Sequence, residues 1–390
     1  MNFIPYGRQN ITKEDINAVV EVLESDFLTQ GPKVPNFEEA IKTQCNVKFA
    51  FAMNSATSAL HAACLALGVG KGDLVWTTPI TFVASANCAL YCGASIDFVD
   101  IDPKTYNLST QALKDKLQTA KVKGQLPKVV IPVHLCGQPC DMEGIYELSK
   151  EYDFSVIEDA SHAIGGKYKD QPIGNCQYSD ITIFSFHPVK IITTAEGGVA
   201  TTNSEDLAQK LDLLRSHGIT RDPELMTHEP DGPWYYQQVD LGFNYRMTEL
   251  QAALGSSQIK RLNDINESRH RIADRYNHKL ANLSVIVPYQ ISEGHSGLHL
   301  YVIRLKLDEI KATHLDVFNS LRASNIGVNL HYIPVHLQPY YQNNFGFKMG
   351  DFPQAEQYYK EAISLPLYPD LTEEQQDYIV ETLQGILKDG

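Results

Sequence analysis

The stretch FAFAMNSATSALHAACLALG, residues 49–68, decides the fold. FAFAMN (49–54) is a short apolar run ending on an asparagine, as a buried strand does. SATSALHAACLALG (55–68) is a run of small residues stopped by Gly68, which reads as a helix. The alternation then continues. DLVWTTP (73–79), ASIDFVDID (94–102), KVVIPVHL (128–135) and FSVIEDA (154–160) read as strands. Between them TFVASANCALYCG, residues 109–120 and DMEGIYELSKEYD read as helices. ITIFSF and GGVATTN add two more strands, followed by a helix at 204–216. Near-continuous apolar strands alternating with helices predict an α/β fold with a mostly parallel, helix-covered sheet. Ligands of such sheets gather at the carboxyl ends of strands. Asn54, Asp159 and Ser185 all lie at such ends.

On the N-terminal side, Thr12 with Asp15 resembles a helix cap, and apolar spacing predicts an amphipathic helix over 13–25. FLTQGPKVPNFEE holds Gly31, Pro32 and Pro35 and reads as a loop, with a second helix starting near Phe37. On the other side, residues 217–247 form a long, irregular excursion, the kind of ordered loop that is often functional. A helical pattern from Thr248 to about Leu280 suits a connector. LHLYVIRLKL, a helix near 314–324, the strand-like GVNLHYIPVHL and a helix after Thr372 make a smaller α+β unit. The expected organisation is an N-terminal arm and helix (1–30), a large α/β domain (31–250), and a connector helix with a small C-terminal domain (251–390).

Composition bounds the partners. The 390 residues are 43% hydrophobic and 21% charged, an ordinary globular balance. The net charge of −14 argues against nucleic acid and anionic membranes as partners. A phosphate on a ligand must then be held by local groups such as a helix N-terminus. The start MNFIPYGRQNITKEDI has no apolar run after a basic segment, and no stretch reaches the roughly 18 apolar residues of a membrane span. With seven scattered cysteines, these features predict a cytoplasmic protein with free thiols. HLCGQPCD (134–141) lacks a second ligand pair at zinc-like spacing, so no metal site is expected.

The chemistry centres on SDITIFSFHPVKIITTAEGGVATTN, residues 179–203. Its alternation predicts that Ile181, Ile183 and the aromatics bury while Ser185 faces the other way, before a loop carrying His187, Pro188 and Lys190. A lone loop lysine is usually a solvated charge, so the partners matter. Asn54-Ser55-Ala56-Thr57 joins a strand to a helix start, where free N–H groups and hydroxyls can cradle an anion; plain capping by Ser55 is the simpler alternative. Phe82 follows a strand end, where a ring can stack on a flat ligand or simply pack in the core. Asp159 closes FSVIED and needs a cationic or hydrogen-bonding partner unless solvent supplies it. His162 lies three residues on. Taken in order, an anion cradle, an aromatic, Asp-x-x-His and Ser-x-x-x-x-Lys match the needs of pyridoxal phosphate: phosphate, stacking face, pyridine nitrogen and aldehyde.

FLTQGPKVPNFE, NSATSALHAA, TPITFVASANCALYCGA, PVHLCGQPCDM, VIEDASHAIGGKY, IFSFHPVKIITTAEGG, RSHGI, LGFNYRMTELQAALGSSQI and AISLPLYPDLT run in one order over nearly the whole chain. In these segments the sequence resembles the DegT/DnrJ/EryC1/StrS family of nucleotide-sugar aminotransferases. The resemblance implies the fold-type I architecture of pyridoxal-phosphate enzymes, with a seven-strand-type sheet and a homodimer whose active sites lie at the subunit interface. It implies Lys190 as the Schiff-base lysine, Asp159 on the pyridine nitrogen and His162 near the ring hydroxyl. Ala56, Thr57 and Ser185 would hold the phosphate, Phe82 would stack, and Asn244 would reach in from the neighbouring subunit. Tyr6, Gln30, His331 and Tyr332 would line the sugar-nucleotide site. L-glutamate would be the amino donor, leaving pyridoxamine phosphate to aminate C4 of a UDP-linked 4-keto-6-deoxy-N-acetylhexosamine. Another UDP-, dTDP- or GDP-linked 4-keto sugar is the alternative acceptor. Dehydratase relatives carry histidine in place of the lysine, which Lys190 opposes. A non-catalytic sugar-nucleotide binder need not keep Asp159, Ser185 and Lys190 together.

Overall fold

The structure is a computed structural model that describes residues 2–389. Helix α1 (Lys13–Leu23) opens with the expected capping box, the Thr12 hydroxyl accepting from Asp15 N–H while the Asp15 carboxylate accepts from Thr12 N–H. Helix α2 (Lys33–Cys45) begins earlier than the expected start near Phe37. Pro35 falls in the first turn, where a missing N–H costs nothing. The Pro32 cap contributes no side-chain bond. The cap comes instead from far along the chain: the buried Glu249 carboxylate accepts Lys33 N–H at 2.6 Å and Val34 N–H at 3.1 Å.

Among the described residues, seven strands form the central sheet: β1 (Phe49–Met53), β2 (Leu74–Thr77), β3 (Ser95–Phe98), β4 (Val129–Ile131), β5 (Ser155–Asp159), β6 (Ile181–Ser185) and β7 (Gly198–Thr202). Their order is β1-β7-β6-β5-β4-β2-β3. Only β7 runs against its neighbours, so the other six share one direction. The carboxyl ends of β1, β5 and β6 therefore meet along one edge.

Helices α3 (Ala56–Ala66), α4 (Ala84–Tyr91), α5 (Thr110–Lys123), α6 (Met142–Tyr152) and α7 (Glu205–Arg215) follow the strands as expected. Ala59, Ala62, Ala63 and Ala66 of α3 bury with Ile181 and Ile183 on one sheet face. Phe184 and Phe186 bury on the other face with Phe37 and Ile41 of α2. Ser185 does not face away from Ile181 and Ile183 as expected. A period of two puts all three on the face toward α3, opposite the phenylalanines.

The expected connector consists of α8 (Glu249–Gln258) and α9 (Leu262–Leu280), separated by a 3₁₀ turn at Ile259–Arg261. Beyond it, β8 (Tyr301–Leu305) pairs antiparallel with β9 (Ala362–Leu365) and with the short strand Val285–Ile286. Helix α10 (His314–Ala323) lies between these strands in sequence. The helices α11 (Pro339–Phe345) and α12 (Pro353–Glu361) had no sequence signal strong enough to place them. The helix expected after Thr372 is α13 (Glu373–Asp389). GVNLHYIPVHL is not a ladder strand; it makes one isolated bridge, Asn329 to Ser364, before a turn at Val335–Leu337. Pro334 has no N–H to offer a ladder. Ile4 of the N-terminal arm is fully buried against this unit, bridging Ile326 and packing in the same cluster as Leu321 and Ile363.

Because Glu249 satisfies two part-buried backbone donors at the start of α2, Glu249→Ala should lower unfolding free energy by about 1–3 kcal/mol, with Glu249→Gln in between. Urea denaturation checks this. An unchanged midpoint for the alanine variant would remove Glu249 as the cap.

Candidate active site

The cavity at the carboxyl edge of the sheet has a volume of about 430 Å³. Its geometry begins with one cross-strand row. Gly198 of β7 lies opposite Met53 of β1 on one side and Ser185 of β6 on the other. A Cβ on Gly198 would sit 2.5 Å from Ala56 N and 2.6 Å from Ser55 C. The absence of a side chain thus lets β7 press against the first turn of α3, which aligns that turn with Ser185. Ser55 caps α3, its hydroxyl accepting Ser58 N–H at 3.1 Å. The Ala56 and Thr57 N–H groups stand in the first turn, where a helix supplies no acceptor of its own. Ala56, Thr57 and Ser185 all line the cavity, forming a cradle suited to an anion.

β5 separates its two terminal acids by alternation. Glu158 points away into a buried network with His134 Nε2 at 2.8 Å, Thr182 Oγ1 at 3.1 Å and the Ser179 hydroxyl. Asp159 lines the cavity. Its Oδ2 accepts the Ser85 hydroxyl at 2.6 Å and its Oδ1 accepts Ser161 N–H at 3.1 Å. Since Ser85 gives its proton to Asp159, the Thr81 hydroxyl 2.7 Å away donates to Ser85. Ser85 and Thr81 were not among the residues expected from sequence. Ser85 lies in the first turn of α4 and Thr81 four residues earlier, ahead of that helix; two hydroxyls four apart at the start of a small-residue helix were the available signal.

Lys190 sits in the turn between β6 and β7, its N–H donating to His187 O at 2.9 Å. Among the described residues its Nζ has no hydrogen-bond or ion-pair partner. Burial pulls the ammonium down to about 8, with the Asp159 carboxylate opposing that fall.

Neutral imidazoles surround this amine. His162 Nδ1 accepts Cys136 N–H at 3.2 Å, so the neutral ring carries its proton on Nε2 and donates to Tyr332 Oη at 3.1 Å. Burial, then Lys190 and His331, holds His162 well below its ordinary range. His331 is pushed down to about 3 by burial and then by Lys190, and its Nδ1 lies 2.7 Å from Ser364 Oγ. Burial raises the Tyr332 phenol, which stays protonated.

Tyr6, Phe82, His331 and Tyr332 complete the lining among the expected residues. Phe82 is 58% exposed in the cavity wall, with its ring centroid 6.2 Å from that of Tyr332, and so does not pack in the core. His187 stands exposed at the rim, its Nε2 4.0 Å from Glu196 Oε1. Two expected residues are not part of the lining. Gln30 is exposed in a left-handed turn, and Asn244 is exposed, with its backbone bridged to Ser216 and its carbonyl accepting from Asn54 Nδ2 at 3.3 Å. The lining also includes Ser161, Glu196 and His299, which sequence reasoning did not single out.

These residues fit pyridoxal phosphate. The α3 cradle matches a phosphate, the Asp159 carboxylate a protonated pyridine nitrogen, and the half-buried Lys190 amine an aldehyde. Among the described residues no group of three or more His, Cys, Asp or Glu side chains is placed to hold a metal ion.

The sequence pattern of the DegT/DnrJ/EryC1/StrS aminotransferase family matches residues 9–384. The spore coat polysaccharide biosynthesis protein SpsC of Bacillus subtilis (strain 168) is 40% identical over 391 residues, covering 99% of this chain and 98% of its own. The UDP-4-amino-4,6-dideoxy-N-acetyl-beta-L-altrosamine transaminase of Campylobacter jejuni (serotype O:23/36, strain 81-176) is 36% identical, covering 99% and 98%. Helicobacter pylori PseC, an aminotransferase involved in the biosynthesis of pseudoaminic acid, superposes over 100% of both chains with a TM-score of 0.91 and 30% identity. The chain belongs to the DegT/DnrJ/EryC1/StrS family, and is a pyridoxal-phosphate-dependent nucleotide-sugar aminotransferase.

Proposed function

We propose that the chain moves the amino group of L-glutamate to the C4 ketone of a UDP-linked 4-keto-6-deoxy-N-acetylhexosamine. The product would be UDP-4-amino-4,6-dideoxy-N-acetyl-β-L-altrosamine. One observation carries the chemistry: the Lys190 amine, the Asp159 carboxylate and the first turn of α3 line a single cavity. The sugar assignment draws support from the likeness to the altrosamine transaminase and to PseC. A second reading, another 4-keto sugar nucleotide, draws on SpsC, which is 40% identical and named only for spore coat polysaccharide.

In this reading Ala56 and Thr57 N–H, with the Thr57 and Ser185 hydroxyls, bind the cofactor phosphate without a cation. Asp159, held by Ser85 and Ser161, would meet the pyridine nitrogen and keep it protonated. His162 would serve the ring hydroxyl and Phe82 the ring face. When bound, pyridoxal phosphate supplies the electron sink for charge left on carbon as a proton departs. Lys190 Nζ takes that proton from the donor α-carbon and later delivers one to sugar C4. An amine held near 8 rather than at its ordinary value can do both close to neutrality. Tyr6, His331 and Tyr332 line the sugar side. Asn244 and Gln30, both exposed, would serve a site across the interface of a homodimer; exposed Trp234 and Leu241 on the same excursion supply apolar surface for that contact.

The protein loaded with pyridoxal phosphate should be yellow and should bleach on adding glutamate. Lys190→Ala should still bind pyridoxamine phosphate while turnover falls by at least about 10²-fold. Wild-type turnover in that variant would dismiss Lys190 as the proton carrier. A panel of 4-keto nucleotide sugars, scored by product stereochemistry, tests the substrate: activity only with dTDP- or GDP-sugars would replace the UDP assignment.

The neutral amine is the form that attacks an aldehyde. Colour development on mixing cofactor-free protein with pyridoxal phosphate should therefore quicken as pH rises through about 8 and level off above it. Asp159 holds the amine's proton on, so Asp159→Asn should move that midpoint to lower pH. A midpoint that stays in place or rises would break the link between the two groups.

A further inference from the structure

The imidazole of His299 lies in the cavity wall, 3% exposed, with its ring centroid 4.4 Å from that of His162. Neither of its ring nitrogens has a hydrogen bond within the described residues. Nδ1 is sealed from solvent and unpartnered. Nε2 is not among the sealed atoms, so it is the nitrogen that keeps access to the cavity. Buried polar atoms in folded proteins nearly always find a partner, and an imidazole with none asks for a ligand.

The ring is also held deliberately. Arg269 of α9 is buried with no carboxylate partner among the described residues, and its Nη1 donates to the carbonyls of Leu298, His299 and Leu367, each at 3.2 Å. The His299 N–H in turn donates to Cys136 O at 2.9 Å, the residue whose own N–H fixes His162. A buried guanidinium spent on three carbonyls fixes the backbone that carries this one side chain into the site.

We propose that His299 is a substrate-contacting residue whose Nε2 hydrogen-bonds a neutral polar group, a hydroxyl or acetamido, of the acceptor sugar seated at Lys190. This rests on the reading of the site as one for a 4-keto sugar nucleotide. The choice of sugar over amino donor follows from charge. Burial, then His162, Lys190, Arg269 and His331, keeps His299 well below its ordinary range, so the ring is uncharged. A neutral imidazole suits a neutral polyol better than the carboxylates of an amino acid, for which a cation is the stronger partner. Of the cavity groups near it, His162, His331 and Tyr332 are uncharged as well, and the cation, Lys190, is committed to the cofactor in this reading.

The test separates the two half-reactions in the holoenzyme. His299→Phe should leave cofactor absorbance and the rate of glutamate-driven bleaching within about two-fold of wild type. It should raise KM for the accepted 4-keto sugar by roughly ten-fold or more, the loss of one good hydrogen bond. His299→Gln, whose amide can overlay Nε2, should recover most of that loss, whereas His299→Asn, which reaches only the Nδ1 position, should not. Equal slowing of the glutamate half-reaction, weakened cofactor binding, or equal behaviour of Gln and Asn variants would overturn the proposal. If wild type itself bleaches with glutamate but accepts no 4-keto sugar, the substrate reading fails and His299's sugar contact fails with it. If wild type accepts a sugar and His299→Phe leaves its KM unchanged, only the His299 proposal fails.

Discussion

The contact between Gly198 and the Ser55–Ala56 peptide sets the spacing on which the site depends. Among the described strands of the central sheet, β7 is the one that runs against its neighbours, and it joins β1 to β6 through the row Met53–Gly198–Ser185. With Gly198 lacking a side chain, the first turn of α3 settles onto that row. The anion cradle and the hydroxyl of Ser185 then share one end of the sheet, and the turn between β6 and β7 brings Lys190 to the same place. A Cβ there would meet backbone atoms of Ser55 and Ala56, which cannot swing aside as a flexible side chain would. The spacing is thus a property of the backbone, and the reactive side chains inherit it.

The local part of this arrangement was legible in the sequence. Each strand expected in the large sheet is present, and the carboxyl ends that bear Asn54, Asp159 and Ser185 do share an edge. The features that escaped are those made by distant contacts. The start of α2 was obscured by Gly31, Pro32 and Pro35 because its cap, Glu249, stands 216 residues from Lys33. Ser185 was assigned to the wrong face because an apolar run buried on both sides hides which face is which. GVNLHYIPVHL looked like a strand because it is apolar, yet past its one bridge at Asn329 it carries Tyr332 to His162, in the loop after β5. Ser85 and His299 were passed over for the same reason: a serine in a small-residue helix and a histidine before a strand gain meaning only when Asp159 and His162 are beside them.

Electrostatically the site does little by net charge. The chain carries −14 overall, and the cation lining the cavity is Lys190 itself. An arginine or lysine beside the phosphate would stabilise the anion, but it would also lower the pKa of the nearby amine further. Backbone N–H groups at the α3 terminus can bind the phosphate with partial charges that fall off within a turn. Lys190 is then left to respond mainly to burial and to Asp159.

The ring of uncharged imidazoles extends that logic. Each of His162, His299 and His331 would, if protonated, add a positive charge beside Lys190 and drive its proton off. Lys190 would repel those protons in return, and burial already disfavours them. The stable arrangement is one proton on the amine or none, with the histidines offering donors and acceptors but no charge. His162 is fixed in that state by Cys136 N–H on Nδ1, which also leaves the Tyr332 hydroxyl proton free to point into the cavity. In the proposed reaction the walls can therefore read the hydrogen-bonding pattern of a neutral sugar while the Lys190 amine stays available for proton movement.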